Sequence, residues 1–296
     1  SIRCTKTLLA VQSTHSQSQP LRSLTSAHIW LLTAGGFFAF FIFGFVDNLK
    51  GPTLPALLRD LNFSYSQGGT ILFSAYLGFM VATLLTGVLA DAAGVKAVLL
   101  LAGVSLTIGL AVYSLMSAFW LLALAMFVVG LGLGAIEVGG NALIVDLHRF
   151  NRGRYLNWLA VFHGVGSFLV PLYAAQLLSA AFTWRQVYQS AIVLAIGMAI
   201  FFLVVKYPRT QSAGGGLNLR TLLAAGLTWR MGWFYLLIAV YVAAEIGIAA
   251  WIVEYLQEVK GFSIGTSSLY LSLFFAAIMV GRLAGSFVVE RIGYVN

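Results

Sequence analysis

The sequence predicts an all-α integral membrane protein that crosses the bilayer eight times. Of its 296 residues, 60% are hydrophobic and only 9% are charged, whereas about 25% of the residues in an average soluble domain are charged. The mean hydropathy is +0.93. Apolar segments of about 20 residues recur along the chain, which is the length that a helix needs to cross a bilayer. Because hydrocarbon offers backbone amides no partner, each segment is expected to be helical.

The apolar segments divide the chain into a six-span half and a two-span remainder. The predicted spans are His28–Leu54, Gly69–Ala90, Ala97–Met116, Phe119–Val145, Leu156–Ala180, Val187–Tyr207, Met231–Tyr255 and Ser267–Val289. The predicted domains are a cytoplasmic polar tail (1–27), an N-terminal six-helix half (28–207), a cytoplasmic linker (208–230) and a partial C-terminal half of two helices (231–296). The linker interrupts the apolar pattern with Pro, Gly, Ser and basic residues. It is expected to be a loop or to include a short interfacial helix.

The tail is rich in Ser, Thr and Gln, basic and free of acidic residues. This composition is typical of a disordered segment, and a transit-type presequence is the alternative.

Basic residues are distributed unevenly between the two sides of the predicted bundle. The tail and the even-numbered connections hold Arg3, Lys6, Arg22, Lys96, Arg149, Arg152, Arg154, Lys206, Arg209, Arg220, Arg230 and Arg291. The odd-numbered connections hold only Lys50, Arg59, Arg185 and Lys260. Positive connections favour the cytoplasmic side, so both termini are expected there, in a plasma membrane or a bacterial inner membrane. The net charge of +8 therefore does not predict a nucleic-acid partner.

The sequence lacks the residue patterns of catalytic and metal sites. Its single cysteine, Cys4, excludes an intrachain disulfide, and no His or Cys residues have the spacing of metal ligands. The spans contain no nucleophile with a matching base. We therefore expect neither an enzyme nor a bound cofactor or metal.

One carboxylate, Asp47, lies inside the longest apolar run of the N-terminal third. A charged side chain at membrane depth costs roughly 2.5–3.5 kcal/mol on insertion scales, so it usually faces a cavity or the protein interior. Helix-weakening residues follow it, namely Asn48, Gly51, Pro52 and Pro55. These residues favour a binding site, and an interfacial Asp47–Lys50 pair at an earlier membrane boundary is the alternative.

The fourth span places a second carboxylate on a face with small residues. Gly130, Gly134, Glu137 and Asn141 are spaced by three or four residues and share one side of a helix. Further glycines, Gly132, Gly139 and Gly140, would allow a neighbouring helix to approach. Glu137 and Asn141 are thus expected to point together into the bundle, either as a site or as polar contacts between helices.

A weak internal repeat relates the two parts of the chain. An offset of about 199 residues aligns Phe73–Gly94 with Ser272–Gly293, so that Asp91 meets Glu290 three residues before a glycine in both copies. An offset of 198 residues aligns Asp47 with Glu245 of the seventh span. Matching intramembrane acids are typical of transporters that are built from related halves around a central site.

The segment "GVLADAAGVK" (Gly87–Lys96) resembles the G-x-L-A-D-x-x-G-x-K/R signature of the major facilitator superfamily, and "GSFVVERIG" resembles its second copy. The basic residue that commonly follows the Asp is Ala92 here. In that family the turn forms a cytoplasmic gating latch, a role that the resemblance gives to Gly87, Asp91, Gly94 and Lys96. An ordinary tight turn with solvated charges is the alternative.

Four further stretches are similar to the fucose-permease type of sugar/proton symporters within that superfamily. They are "GFVDNLKGPTLP", "GLGLGAIEVGGNALIVDL", "LNWLAVFHGVGSFLVP" and "YVAAEIGIAAWIVEYL". The resemblance implies a major facilitator fold and proton-coupled uptake of a sugar or similar small polar solute by alternating access. It also implies twelve spans, so a chain with eight is expected to be a fragment. We expect a monomer whose partners are the solute and the lipid bilayer.

The resemblance also assigns site roles. Asp47 and Glu137 would couple transport to protons, and the expected solute-binding residues are Asn48, Asn141, Asn157, His163, Glu245 and Trp251. Packing roles stay open for His163 and Trp251, and a contact between helices stays open for Glu245. Two other functions are alternatives: a drug or metabolite exporter with this fold, and a non-transporting membrane protein on the same scaffold.

Overall fold

The computed structural model describes residues 25–207 and 228–292. The helices within these ranges are α1 (Ser26–Asn48), α2 (Lys50–Leu61), α3 (Tyr65–Ala93), α4 (Val95–Leu115), α5 (Phe119–Leu147), α6 (Arg152–Ser179), α7 (Trp184–Val204), α8 (Trp229–Glu258) and α9 (Ile264–Ile292). The expectations for the polar tail fall almost wholly outside the described residues, as do those for residues 208–227 of the linker. The proposed domain bounds therefore stay predictions.

Within residues 25–207 and 228–292, eight helical spans are long and apolar enough to cross a membrane, as the sequence predicts, and the protein is a multi-pass membrane protein. The first consists of α1 and α2 together, Ser26–Leu61, and is seven residues longer at its end than expected. An even number of crossings returns the chain to the side on which α1 begins. We call this the amino-terminal side, and the side on which α2 ends the opposite side.

Polar side chains fix the starts of several helices. Ser64 and Gln67 form a reciprocal capping box at the start of α3, and Thr183 and Gln186 form another at the start of α7. Each box satisfies backbone amides that have no partner within the helix. Both lie on the opposite side, where the chain turns back into the membrane.

Glycines let the helices of the first six spans cross at short distance. α3 packs along α5, α1 along α6, and α4 along α7. A Cβ at Gly130 would collide with the Ala75 carbonyl, and one at Gly44 would collide with the His163 carbonyl. Small residues of this kind are how membrane helices gain van der Waals contact. The two crossings bring the middle of α1, α3, α5 and α6 around one space.

The last two spans complete the wall of that space. α9 packs against α6, where Ser272 Oγ donates a 2.8 Å hydrogen bond to the Phe168 carbonyl. α8 packs against α2, and the Gly51 Cα faces the Ala249 carbonyl so closely that a Cβ would collide with it. These contacts lie in the opposite half of the membrane and close that half of the bundle.

Candidate functional site

A cavity of about 680 Å³ lies between the first six spans and the last two. Its walls come from α1, α3, α5, α6, α8 and α9. The lining residues occupy the last third of α1, which is the middle of the first span, the middle of α8 and the amino-terminal half of α6, from Leu156 to Ser167. The space therefore extends from the middle of the membrane toward the amino-terminal side.

Asp47 lines this cavity and is paired with a buried cation. Lys50 Nζ donates to Asp47 Oδ1 at 2.6 Å and lies 4.2 Å from the centre of the Tyr76 ring. The Lys50 side chain is only 6% exposed, whereas Asp47 is 21% exposed. The pair is thus buried beside the cavity wall. Both residues lie within the first span, Ser26–Leu61.

The backbone is irregular at this pair. α1 ends at Asn48 and α2 begins at Lys50, so a single residue, Leu49, separates the two helices. Pro52 has no N–H, so the Asn48 carbonyl lacks the donor that would normally come from four residues ahead. The Asn48 side chain stabilises the end of α1, because its Nδ2 donates hydrogen bonds to the Gly44 carbonyl and to Ser167 Oγ, each at 2.9 Å. Asn48 lines the cavity as expected and also ties α1 to α6.

Glu137 and Asn141 come together on the cavity side of α5. Asn141 Nδ2 donates to the Glu137 carbonyl at 2.7 Å and to Glu137 Oε1 at 3.1 Å. The carboxamide therefore holds the carboxylate in one orientation. No basic side chain of the described ranges lies within salt-bridge distance of Glu137.

Glu245 lines the opposite wall of the cavity and is also paired with a cation. Arg282 Nη2 lies 3.3 Å from both carboxylate oxygens of Glu245 and 3.4 Å from Tyr241 Oη. The Arg282 side chain is 50% exposed and lines the cavity. Glu137 lines the same cavity as Arg282. Asp47 and Glu245, the two acids related by the internal repeat, thus each face a cation.

Asn157 and His163 both lie on the α6 wall of the cavity. The His163 ring packs edge-on against Phe43 with its centre 4.6 Å from the Phe43 ring centre. Asn157 is exposed toward the space. The position of His163 is compatible with both a packing role and a role in proton relay.

Trp251 does not line the cavity, in contrast to its expected role in solute binding. Its ring lies edge-on to Tyr65, 5.8 Å between ring centres, and reaches Gly68 at the start of α3. The reason is its helical position. Trp251 lies six residues after Glu245, which places it more than one turn closer to the opposite side and at a different angle around α8.

The turn between α3 and α4, which carries the gating signature, agrees with the sequence expectations in part. Gly94 has φ +87°, a conformation that favours glycine, and joins α3 to α4. Lys96 Nζ donates to the Leu203 carbonyl at the end of α7, at 3.0 Å. A Cβ at Gly87 would meet no described atom within 4 Å, so this glycine does not mark a close helix crossing. Asp91 is exposed, and its latch role stays a prediction. In the second copy, the side chain of Glu290 and all of Gly293 lie outside the described part of the chain.

Two cations that pair with cavity carboxylates were missed as site residues in the sequence. The charge of Lys50 was counted with the odd-numbered connections, although the predicted span His28–Leu54 contains it, and its side chain is buried. The signal was its spacing of three residues from Asp47, which puts both on one helical face. The sequence signal for Arg282 was its position as a basic residue within an apolar span.

The chain resembles known transporters along most of its length. It is 25% identical over 266 residues to the glucose/galactose transporter of Brucella abortus (strain 2308), covering 83% of this chain and 64% of that protein. It is 21% identical over 296 residues to the L-fucose-proton symporter of Escherichia coli (strain K12), covering 85% and 66%. The chain thus spans slightly less than two thirds of the length of these relatives.

A solved structure shares the helical arrangement. The crystal structure of a D-xylose-proton symporter superposes with a TM-score of 0.68 at 15% identity, covering 89% of this chain and 70% of that one. The family model described as Major Facilitator Superfamily matches residues 36–296. The chain belongs to the Major Facilitator Superfamily.

Proposed function

We propose that this chain forms a proton-coupled secondary transporter, or most of one, that takes up a sugar or similar small polar solute by alternating access. The observation that carries the proposal is the central cavity. Three carboxylates, Asp47, Glu137 and Glu245, and one cation, Arg282, line it from both parts of the bundle, between helices that close on one side only, and the buried Lys50 pairs with Asp47. Ionisable side chains inside a membrane protein typically mark a solute or proton pathway.

Glu137 is the carboxylate best placed to carry a proton. Asp47 has its negative charge compensated by Lys50, whereas the Glu137 carboxylate has, among the described residues, only the Asn141 amide at hydrogen-bond distance. A carboxylate without a close cation is costly in a low-dielectric cavity, so protonation of Glu137 would ease the change of access. Asp47 belongs to the same coupling site, because protonation of Glu137 removes a negative charge from the cavity and so changes the electrostatic potential at the Asp47–Lys50 pair.

A sugar is the substrate class that the surroundings favour. Asn141, Asn157 and the cavity carboxylates offer hydrogen-bond partners for hydroxyl groups, and Phe43, Tyr76 and Phe79 offer aromatic faces on the other wall. Pockets of this composition orient a ligand through a few polar groups within an apolar lining. The relatives described above are a glucose/galactose transporter and an L-fucose-proton symporter, which supports the same class.

The amino-terminal side is proposed to be cytoplasmic. With Lys50 buried in the first span, the connections on the opposite side keep only Arg59, Arg185 and Lys260. This correction makes the charge asymmetry larger than the sequence alone predicted. We place the protein in a plasma membrane or bacterial inner membrane as a monomer, with both termini in the cytoplasm.

The proposal is tested by reconstituting the chain in liposomes and supplying labelled hexoses. An inward proton gradient is expected to drive accumulation that a protonophore abolishes. Binding without accumulation, or extrusion from loaded vesicles against the expected direction, would contradict coupled uptake. Absence of both transport and solute-dependent thermal stabilisation would instead favour a non-transporting protein on this scaffold.

Arg282 favours a second candidate, the carriage of a solute that bears a carboxylate. Only Nη2 of its guanidinium is used by Glu245 and Tyr241, and the side chain is half exposed to the cavity. Arginine binds carboxylates through two parallel hydrogen bonds, so its remaining donors suit an acidic solute. Competition between a neutral hexose and the corresponding sugar acid separates the two candidates. An Arg282→Gln variant should lose only the acid.

A further inference from the structure

A second cavity lies on the outside of the bundle, where α1 and α6 begin. It is a groove of about 500 Å³, and it is lined by Trp30, Phe37, Arg154, Tyr155, Trp158 and Phe162. None of these residues lines the central cavity.

The groove faces away from the solute pathway. Arg154, Trp158 and Phe162 are spaced by four residues and form one stripe along α6. The cavity residues Asn157 and Gly164 lie on a different face of the same helix. The stripe therefore points toward the lipid that surrounds the bundle.

The groove changes from charged to apolar along the membrane normal. Arg154 lies in the first turn of α6, and Phe162 is eight residues further along, roughly 12 Å deeper at the rise of an α-helix. Trp30 and Trp158, which are 58% and 45% exposed, lie between these levels. At the deep end Phe37 and Phe162 stack with their ring centres 4.8 Å apart. Tryptophan at such a level is typical of the membrane interface.

Positive charge at the shallow end is uncompensated by the described residues. Arg149 follows α5, whereas Arg152 and Arg154 lie in the first turn of α6, and no carboxylate of the described ranges is within salt-bridge distance of these arginines. The first turn of α6 carries no acidic residue, and Asn151 provides no side-chain cap. The positive end of the helix dipole therefore adds to the charge of the arginines at the shallow end of the groove.

We propose that this groove binds an anionic phospholipid. The phosphate is held by Arg154 with Arg149 and Arg152 nearby, the glycerol region lies between Trp30 and Trp158, and an acyl chain covers Phe37 and Phe162. The charge complements an anionic headgroup, and the deep aromatic end accounts for the chain. A free phosphate would use only the first of these features.

The test uses the purified chain in detergent, titrated with phosphatidylglycerol or phosphatidylcholine while its thermal unfolding is followed. Phosphatidylglycerol is expected to raise the Tm at lower lipid concentration than phosphatidylcholine. In Arg154→Gln the half-effective concentration of phosphatidylglycerol should rise about fivefold, which corresponds to roughly 1 kcal/mol for one basic residue near a lipid surface. Lys260→Gln is the matched control, because it removes one exposed charge on the opposite side.

A second variant tests the apolar end. Trp158→Ala should lower the affinity for both lipids, since it removes aromatic surface without changing charge. Inorganic phosphate should leave the Tm unchanged. The proposal is overturned if Arg154→Gln and Lys260→Gln respond alike, if the two lipids stabilise the wild-type chain equally, or if phosphate reproduces the effect.

Discussion

Lys50 Nζ lies 2.6 Å from Asp47 Oδ1, three residues further along the first span, and its side chain is buried. The ammonium therefore compensates the first cavity carboxylate from within the same span, across the break between α1 and α2. This ion pair changes the roles that we expect for Asp47 and Glu137. Asp47 is held as part of an ion pair, and Glu137 is the acid that lacks a close cation.

Removing the cation alone should destabilise the protein. In Lys50→Met the Asp47 carboxylate keeps its burial and loses its partner, a change that costs about 3–5 kcal/mol for a fully buried pair and less here because Asp47 is partly exposed. The Tm in detergent should fall. Asp47→Asn combined with Lys50→Met should recover part of the loss, because no unpaired charge then remains. A double variant whose loss equals the sum of the two single losses would show that the residues do not interact.

Two glycines should respond differently to the same substitution. Gly130→Ala forces a methyl group against the Ala75 carbonyl where α3 crosses α5, and overpacking of this kind costs about 1–3 kcal/mol. Gly87→Ala is the control, since its Cβ would meet no described atom within 4 Å and alanine favours a helix. Thermal unfolding of both variants checks this. Equal Tm values for the two would contradict the close crossing.

Much of the fold could be predicted from the sequence because a bilayer restricts the choices. Apolar length identified all eight spans, and the glycine face of the fourth span correctly indicated a close helix crossing. The burial of Lys50 could not be predicted, since the sequence does not show which side chains of other spans pack around it. Its burial depends on Asp47 and Tyr76, which belong to two different spans.

The candidate site was predicted less completely than the fold. Asp47, Asn48, Glu137, Asn141, Asn157, His163 and Glu245 line one cavity. Trp251 does not line it. A resemblance in sequence does not show how a helix is rotated relative to its neighbours, so this position could not be predicted. Arg282 was missed for a similar reason: its partner Glu245 is 37 residues away, and only the packing of α8 against α9 brings them together.

Trp251 and Asn157 should therefore have different effects on solute binding. Asn157→Ala removes an exposed amide from the cavity wall and should weaken solute binding about tenfold, the factor for roughly 1.4 kcal/mol. Trp251→Phe changes a contact between α8 and the start of α3 and should leave solute affinity unchanged. Equilibrium binding of the labelled hexose distinguishes them. A large loss of solute affinity in Trp251→Phe would contradict this prediction and would indicate that Trp251 contributes to solute binding.

A larger residue at Gly51 should open the opposite side of the bundle. Gly51→Val collides with the Ala249 carbonyl, so α2 and α8 can no longer stay in contact. Spin labels at positions 59 and 258, where Arg59 and Glu258 now form an exposed ion pair at 3.2 Å, should move apart. Gly247→Val on α8 is the matched control because a Cβ there meets no described atom within 4 Å. An unchanged label distance in Gly51→Val would contradict closure by this contact.

The proposed coupling of solute movement to protons through Glu137 can be measured in a single transport experiment. Liposomes containing the wild-type chain or Glu137→Gln are compared for proton-gradient-driven accumulation and for exchange of labelled solute at equal pH. Glu258→Gln, an acid outside the cavity, serves as the control. We expect Glu137→Gln to lose accumulation and keep exchange, because its neutral amide mimics the protonated acid. Full gradient-driven accumulation by Glu137→Gln would contradict the coupling role of this residue.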